Sequence, residues 1–209
     1  MSGAFDLDHM RRAIALARAA LGTTWPNPAV GCVIARGGEV IVQAATAPGG
    51  RPHAEEQALA AAGEAARGAD AFVTMEPCAT RSSGVASCSE RLAAAGVARL
   101  IYARDNRHEL SAGHGPDRLC QAGIPIEAGL LKEEAGFLYA GFEHRLRTGR
   151  PLVSAAGQGL GFDGLFEPAP GEALETALHR YGQAGYASLW TPAGGDLAKA
   201  LGELGLLAP

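Results

Sequence analysis

The sequence predicts an α/β fold with a central mixed sheet of about five strands and helices on both of its faces. One observation is a pair of strand-length apolar runs joined by Gly37-Gly38, which is typical of an antiparallel hairpin. Another is the alternation of helical and strand patterns from Ala54 to Arg147, which is typical of parallel strands connected by helices. In such sheets, binding sites form beyond the strand ends.

The elements before the alternating region follow from local signals. Asp6 or Asp8 can cap a first helix, in which apolar residues recur at helical spacing until Gly22 ends it. Residues 24–28 contain two prolines and form a stiff loop, since proline disfavours both a helix and a central strand. The hairpin strands follow at 30–35 and 39–44.

The alternating region begins at His53. An alanine-rich helix runs from Ala54 to about Gly68, so His53 lies at a helix N-terminus and Glu55 in the first turn. The later elements are predicted as a strand at 71–74, a helix at 89–95, a strand at 99–103, a helix at 116–122, an edge strand at 125–127 and a helix at 130–147. Polar loops occupy 79–87 and 105–115.

Composition excludes several classes of protein. The chain has 209 residues, of which 47% are hydrophobic and 19% charged, as in an ordinary globular protein. Its net charge is −4 and its basic residues are scattered, which argues against a nucleic-acid partner. We expect no export signal or membrane span, because no apolar leader or run of about 18 apolar residues occurs. The four cysteines are then expected to be cytoplasmic free thiols or metal ligands.

One motif indicates a specific chemistry. His53-Ala54-Glu55 is followed by Glu76-Pro77-Cys78 and then by Cys88. One imidazole and two thiolates are the ligands that a catalytic Zn²⁺ takes when its fourth position is left open for water. The H-x-E … P-C … C pattern matches the signature of zinc-dependent deaminases. Glu55 is placed to carry protons from a water activated by the metal to the ring nitrogen and the leaving ammonia.

A structural zinc site is the alternative, and it would need a fourth protein ligand. Neither remaining cysteine is well placed to supply one. Cys32 lies inside a predicted strand, where a small buried side chain is expected, and Cys120 lies in a helix far downstream. The catalytic interpretation is therefore favoured.

Four segments resemble the deaminase domain of the bifunctional riboflavin-biosynthesis deaminase/reductase family. They are PNPAVGCVIA (26–35), PGGRPHAEEQALAAAG (48–63), GADAFVTMEPC (68–78) and AAAGVARLIYARD (93–105). The resemblance runs from about residue 8 to 150 and implies the cytidine-deaminase-like three-layer α/β/α sandwich. It also implies deamination of diaminohydroxy-phosphoribosylamino-pyrimidine, with zinc held by His53, Cys78 and Cys88. Glu55 would be the proton carrier and Asn27 would contact the pyrimidine.

The two polar loops differ from the family pattern. The family reads close to SHxGxTPPC after the first cysteine, whereas ATRSSGVAS here places nine residues between Cys78 and Cys88. The family's DPNP loop is replaced by residues 105–108, and the run that follows to Gly115 is one residue longer. Both loops normally approach the substrate. The metal chemistry is therefore expected to be retained in a rebuilt substrate pocket.

The candidate substrate contacts lie around these loops. Arginine is the side chain best suited to a substrate phosphate. For His108 and His114, substrate contact and simple solvation are both open. With Asn27, the predicted contacts are Arg51, Arg81, Arg107 and His108.

The predicted domains are a deaminase domain at 1–148 and a C-terminal segment at 149–209. Gly149–Val153 and Phe162–Gly164 resemble the entry to the family's reductase domain, and 173–207 resembles a helix–strand–helix from near its end. About 60 residues cannot form a doubly wound nicotinamide domain, which needs well over ~100. We expect a reductase remnant that serves as a dimerisation or lid element and transfers no hydride.

Three functions are in competition. The first is zinc-dependent deamination of the phosphoribosylated aminopyrimidine of riboflavin synthesis by a homodimer. The second is the same reaction on another small amino-heterocycle, such as a nucleobase, a nucleoside or a specialised metabolite. The third is a non-catalytic, zinc-stabilised scaffold subunit. Deamination of bases in RNA or DNA is more distant, because no basic groove is visible.

Overall fold

The structure is a computed structural model that describes residues 3–81, 84–107 and 114–208. The chain forms two compact units. The first unit contains the chain up to Ala19, Val30–Ala47 and Pro52–Phe137, and the second contains Ala20–Ala29, Pro48–Arg51 and the chain from Leu138 onward. Two short loops near the N-terminus therefore group with the C-terminal segment. The domain boundary at residue 148 stays a prediction.

The first unit is built on a five-stranded mixed sheet, which confirms the predicted fold class. Its strands are β1 Gly31–Arg36, β2 Glu39–Ala45, β3 Asp70–Met75, β4 Arg99–Arg104 and β5 Ile126–Ala128. Their order is β2-β1-β3-β4-β5, with β5 at an edge as predicted. β1 pairs antiparallel with β2 and β3, whereas β3, β4 and β5 run parallel. The hairpin thus supplies the antiparallel part, and the helix–strand alternation supplies the parallel part.

Helices flank this sheet. They are α1 Ala4–Ala20, α2 Ala54–Ala62, α3 Cys88–Ala95, α4 His114–Gln121 and α5 Lys132–Thr148, the last of which ends in the second unit. The sequence predicts that the second helix continues to Gly68, but α2 ends at Gly63, where a φ of 52° breaks the helix. A 3₁₀ turn at Gly63–Ala66 follows. Glycine tolerates this positive φ at little steric cost, which explains the early end.

Close packing of α1 on β1 positions the central strands. A Cβ atom at Gly31 would overlap the carbonyl oxygen of Ala13, so only glycine allows this approach. The backbone N–H of Gly31 donates to Thr74 Oγ1 at 3.0 Å and links β1 to β3. The core around them contains fully buried side chains from sheet and helices, including Met10, Ile34, Phe72, Leu92 and Leu100. The end of β3, from which Cys78 follows, is therefore held by packing on the preceding strand.

The second unit has its own small parallel sheet. Its strands are β6 Leu152–Ala156, β7 Gly164–Leu165 and β8 Ser188–Pro192, in the order β6-β8-β7. Helices α6 Leu174–Gln183 and α7 Asp196–Glu203 flank β8 in sequence, which gives the expected helix–strand–helix. The buried cluster of this unit consists of Val153, Phe166, Ala177, Leu178, Leu189 and Leu201. In the described ranges, no helix combines the length and the apolar character needed to span a bilayer.

The loop that carries Asn27 packs within this second unit. Trp25 stacks on Tyr186 with ring centroids 4.3 Å apart and an interplanar angle of 19°. Arg145 Nη2 donates to the Pro26 carbonyl oxygen at 3.2 Å. A Cβ atom at Gly185 would lie 2.5 Å from the Pro26 Cβ, so this glycine is also required by close contact. The C-terminal segment therefore supports a loop that the sequence analysis places in the first domain.

An ion-pair cluster joins the start of α1 to the sheet of the first unit. Arg99 donates to both carboxylate oxygens of Asp6, at 2.7 and 3.1 Å, and to Asp70 Oδ2 at 2.9 Å. Asp6 lies inside the first turn of α1, because the helix begins at Ala4. The hydrogen bond from Arg99 lowers the pKa of Asp6 below its ordinary value. The Asp6 carboxylate also accepts from the Gly3 N–H at 3.2 Å, so Asp6 caps the helix start as expected and is at the same time a buried ion-pair partner.

We expect Asp6→Asn to lower the free energy of unfolding at pH 7 by about 1–3 kcal/mol, since a charged hydrogen bond is lost. A lowered folded-state pKa gives stability that is present at neutral pH and is lost as the pH falls through that pKa. Urea unfolding of both proteins at pH 7 and at about pH 3 should therefore show a difference that shrinks in acid. A difference of equal size at both pH values would contradict this assignment.

Candidate metal centre

The three predicted metal ligands lie at the ends of separate elements. His53 is the N-cap residue of α2, Cys78 follows β3, and Cys88 is the first residue of α3. The start of α3 is fixed by a capping box in which the side chain of Ser87 accepts from the Glu90 N–H, and the Glu90 carboxylate accepts from the Ser87 N–H at 2.7 Å. The Ser-x-x-Glu spacing at 87–90 is a sequence signal that places the helix start one residue earlier than predicted.

The three side chains converge. Their ligand atoms all lie within 4.8 Å of one another. His53 Nδ1 is 3.4 Å from Cys88 Sγ and 3.9 Å from Cys78 Sγ. A tetrahedral site with Zn–N near ~2.0 Å and Zn–S near ~2.3 Å has nitrogen–sulfur separations of about 3.6 Å. The donor types and their spacing therefore fit a zinc ion.

The number of ligands is the number typical of a catalytic zinc site. In the described part of the chain, no fourth His, Cys, Asp or Glu joins this cluster. Cys32 is fully buried in β1, as expected, and burial raises the pKa of its thiol well above the ordinary value. Cys120 is exposed on α4. Neither of these cysteines belongs to the cluster.

The two sulfurs of the cluster share hydrogen bonds. The Cys88 N–H donates to Cys78 Sγ at 3.3 Å. Hydrogen bonding from the Cys88 thiol lowers the pKa of Cys78 below its ordinary value, with further donation from His53. The same bond and burial raise the pKa of Cys88. The hydrogen bond between the two sulfurs therefore favours ionisation of Cys78 over that of Cys88, and binding of a dication would favour the thiolate form of both.

Glu55 is buried beside this cluster, with 3% of its surface exposed. It lies in the first turn of α2, two residues after His53. Burial raises its pKa above the ordinary value, and although the charge on His53 opposes this effect, the charge on Cys78 adds to it. A carboxyl group that alternates between accepting and donating a proton near neutral pH needs a raised pKa, so the shift at Glu55 suits this role.

The predicted substrate contacts lie in different places. Asn27 and Arg51 belong to the second unit, where Asn27 Nδ2 donates to the Gly50 carbonyl oxygen at 3.3 Å. Arg51 and Arg107 are exposed, and their side chains make no hydrogen bond or ion pair with any residue that the structure describes. His108 lies outside the described residues. Contact of these four residues with a substrate stays a prediction.

Arg81 lies beside the ligands rather than on the surface. Its side chain is only 3% exposed, and Nη1 is 2.8 Å from Glu56 Oε2. Nη2 donates to Cys88 Sγ at 3.6 Å. Burial alone would lower the pKa of Arg81, but the hydrogen bond to Glu56 and the charge on Cys88 outweigh burial and raise it. The guanidinium is therefore occupied by a carboxylate and a predicted metal ligand.

Arg118 is a further residue that the sequence analysis did not identify. From α4 it donates to the Ala79 carbonyl oxygen at 2.7 Å and to the hydroxyl oxygens of Ser87 and Ser89 at 3.1 and 3.0 Å. It thereby ties the segment after Cys78 to the start of α3. These partners come from a distant part of the chain, so no local pattern signals the contact.

Comparison with known proteins agrees with this geometry. Residues 4–104 match the family described as the cytidine and deoxycytidylate deaminase zinc-binding region, a range that contains the metal cluster and Glu55. The riboflavin biosynthesis protein RibD of Escherichia coli (strain K12) is 43% identical over 167 residues, which cover 80% of this chain and 45% of that protein. The chain thus spans about half the length of the curated relatives it matches.

Solved structures show the same fold. Acinetobacter baumannii RibD superposes with a TM-score of 0.83 at 24% identity, over 97% of this chain and 84% of that one. The diaminohydroxyphosphoribosylaminopyrimidine deaminase/5-amino-6-(5-phosphoribosylamino)uracil reductase of Thermotoga maritima superposes with a TM-score of 0.68 at 30% identity, over 72% of this chain and 44% of that one. Residues 4–104 therefore belong to the cytidine and deoxycytidylate deaminase family, and the chain contains a deaminase domain of the RibD type.

Proposed function

We propose that this chain is a zinc-dependent aminohydrolase that releases ammonia from an amino-pyrimidine. The favoured substrate is the diaminohydroxy-phosphoribosylamino-pyrimidine intermediate of riboflavin biosynthesis, since the similar Thermotoga maritima protein is named as a deaminase of that compound. The observation that carries the proposal is the convergence of one imidazole and two sulfurs at zinc-site distances beside a buried carboxyl group.

The chemistry of the site follows from its side chains. Zinc held by His53, Cys78 and Cys88 would supply Lewis acidity and lower the pKa of a bound water from ~15.7 towards ~7. Glu55 accepts a proton from the attacking water and passes it to the ring nitrogen. As the carbon–nitrogen bond breaks, Glu55 delivers the second water proton to the leaving amine, which departs as ammonia. Burial raises the pKa of Glu55, which favours its neutral form relative to an exposed carboxyl group and suits it to both transfers.

The substrate phosphate needs cations that are free to bind it. Arg51 and Arg107 fit this requirement, because both are exposed and neither side chain is paired within the described ranges. We include Asn27 as the pyrimidine contact and His108 as a further substrate contact on the basis of the family resemblance. Arg81 is not included, since its guanidinium is engaged by Glu56 and Cys88.

A second candidate is the same reaction on another small amino-heterocycle. It is favoured by the nine residues between Cys78 and Cys88, one more than the family pattern, and by the buried position of Arg81 within this segment. We further propose that the chain acts as a homodimer in the cytoplasm. We propose no hydride transfer by residues 149–209, since the described part of this segment, 149–208, has three strands and two helices, fewer than a doubly wound nicotinamide domain contains.

Glu55→Gln tests the catalytic proposal. We expect kcat for ammonia release to fall by about 10²–10⁴-fold, because the proton carrier is lost while the metal ligands remain. Ammonia release by zinc-loaded protein would be measured over a panel of phosphoribosylated and free aminopyrimidines, together with zinc content. Glu64→Gln is the matched control, since the Glu64 side chain is 96% exposed. Equal behaviour of Glu55→Gln and the parent on every compound would favour a scaffold subunit.

Arg51→Gln and Arg107→Gln test the phosphate contact. Each is expected to raise KM for a phosphoribosylated substrate by about 10-fold, the cost of one charged hydrogen bond, with little change in kcat. The KM for the corresponding compound without phosphate should not change. Arg12→Gln removes the same charge from an exposed position on α1 and serves as the control. Unchanged KM for both compounds in both variants would remove these arginines from the substrate site.

A further inference from the structure

Arg81 is a buried cation with three neighbours able to carry negative charge, namely Glu56, Cys88 and Cys78. Nη1 contacts the Glu56 carboxylate at 2.8 Å, and Nη2 donates to Cys88 Sγ at 3.6 Å. Its Nε is also buried and has no partner among the described residues. A guanidinium with 3% of its side chain exposed has lost most of its hydration, so it requires compensating charge from the protein.

Glu56 alone does not supply this charge. Arg91 Nη2 lies 3.3 Å from the other oxygen of the same carboxylate, so two guanidinium groups share one negative charge. The side chain of Arg91 is 34% exposed and is partly hydrated, whereas that of Arg81 is not. Cys88 is the next group that Arg81 reaches, and as a zinc ligand it would be a thiolate.

The arrangement ties the cation to the same helix that carries the proton carrier. Glu56 follows Glu55 directly in the first turn of α2, and His53 occupies the N-cap position of that helix. Glu55 is buried beside the sulfurs, while Glu56 is 25% exposed and holds Arg81 and Arg91. One turn of helix therefore places a ligand, a carboxyl group for proton transfer and an anchor for Arg81.

We infer that Arg81 is a positioning residue for the metal centre, which fixes the Cys88 thiolate by a charged hydrogen bond and withdraws electron density from it. A zinc ion with two thiolates carries no net charge, which weakens its Lewis acidity. A guanidinium on one sulfur reduces the donation of that sulfur to the metal. The inference rests on the proposed function, in which His53, Cys78 and Cys88 hold zinc.

This role differs from the contact predicted from the sequence. Loss of a guanidinium that binds a substrate phosphate changes KM for phosphorylated compounds. Loss of one that is hydrogen-bonded to a metal ligand changes the electron donation from that ligand to the metal. Loss of hydrogen bonds to metal ligands typically costs 10–100-fold in metal affinity or activity. The two roles therefore separate in a measurement on the metal centre made without substrate.

The test uses the full chain loaded with cobalt(II) in place of zinc. The absorption spectrum then contains sulfur-to-cobalt charge-transfer bands. The wavelength of these bands reports the electron density on the thiolates. We expect Arg81→Met to shift these bands to longer wavelength, since the sulfur loses a donor that stabilises its lone pairs. In the zinc-loaded protein the same variant should lower kcat by about 10–100-fold with KM little changed. Arg81→Lys keeps the charge, so its band positions and its kcat should lie between those of Arg81→Met and those of the parent.

Arg11→Met is the matched control, because Arg11 forms an ion pair with Glu134 at 3.4 Å and is 54% exposed on α1. We expect its cobalt bands and kcat to equal those of the parent. Unchanged bands in a folded, cobalt-loaded Arg81→Met protein would overturn the inference. A rise in KM confined to phosphorylated substrates would overturn it too, in favour of phosphate contact.

If Arg81→Met does not fold, Arg81→Lys is used for the test. We expect a smaller shift of the cobalt bands in the same direction, and the absence of any shift would overturn the inference. The cobalt bands require no turnover, so this outcome is separate from that of the proposed function. Failure of the proposed function would instead appear as a parent protein that releases no ammonia from any compound, or that shows no sulfur-to-cobalt bands at all.

Discussion

The site of the first unit depends on bringing three soft donor atoms from distant segments to within 4.8 Å of one another. His53 is held by the start of α2, Cys88 by the capped start of α3, and Cys78 by the turn that leaves β3. The strand that precedes Cys78 pairs with β1, which α1 approaches so closely at Gly31 that no side chain has room there. The sheet and its helices thus act as a rigid frame for a site of small, well-defined size.

Charge balance in this site is the second constraint, because the groups involved are largely removed from water. The two sulfurs are hydrogen-bonded to each other, Glu55 is buried, and Arg81 is buried against Glu56 and Cys88. In a low-dielectric site each of these groups changes the protonation of the others. A dication bound by the sulfurs would offset their charge, and Glu55 would then exchange protons with little electrostatic conflict.

Much of the frame was predictable, because strand-length apolar runs, turn glycines and the H-x-E … P-C … C spacing are local signals. Gly63 at the end of α2 and the Ser87 capping box are local signals too, although the predicted bounds of these two helices differ from the observed ones. The burial of Arg81 and the hydrogen bonds of Arg118 to the segment after Cys78 were not predictable, since they depend on partners far away in sequence. The same holds for the stacking of Trp25 on Tyr186, which places the Asn27 loop with the C-terminal segment.

The side chains of the site suit a metal ion with one nitrogen ligand, two sulfur ligands and a position left for solvent. Zinc content and zinc-edge X-ray absorption on the purified full chain test this arrangement most directly. We expect one zinc per chain, two sulfurs at about 2.3 Å, and nitrogen or oxygen neighbours near ~2.0–2.1 Å in the two remaining positions. A protein that retains no zinc, or a zinc ion without sulfur neighbours, would contradict it.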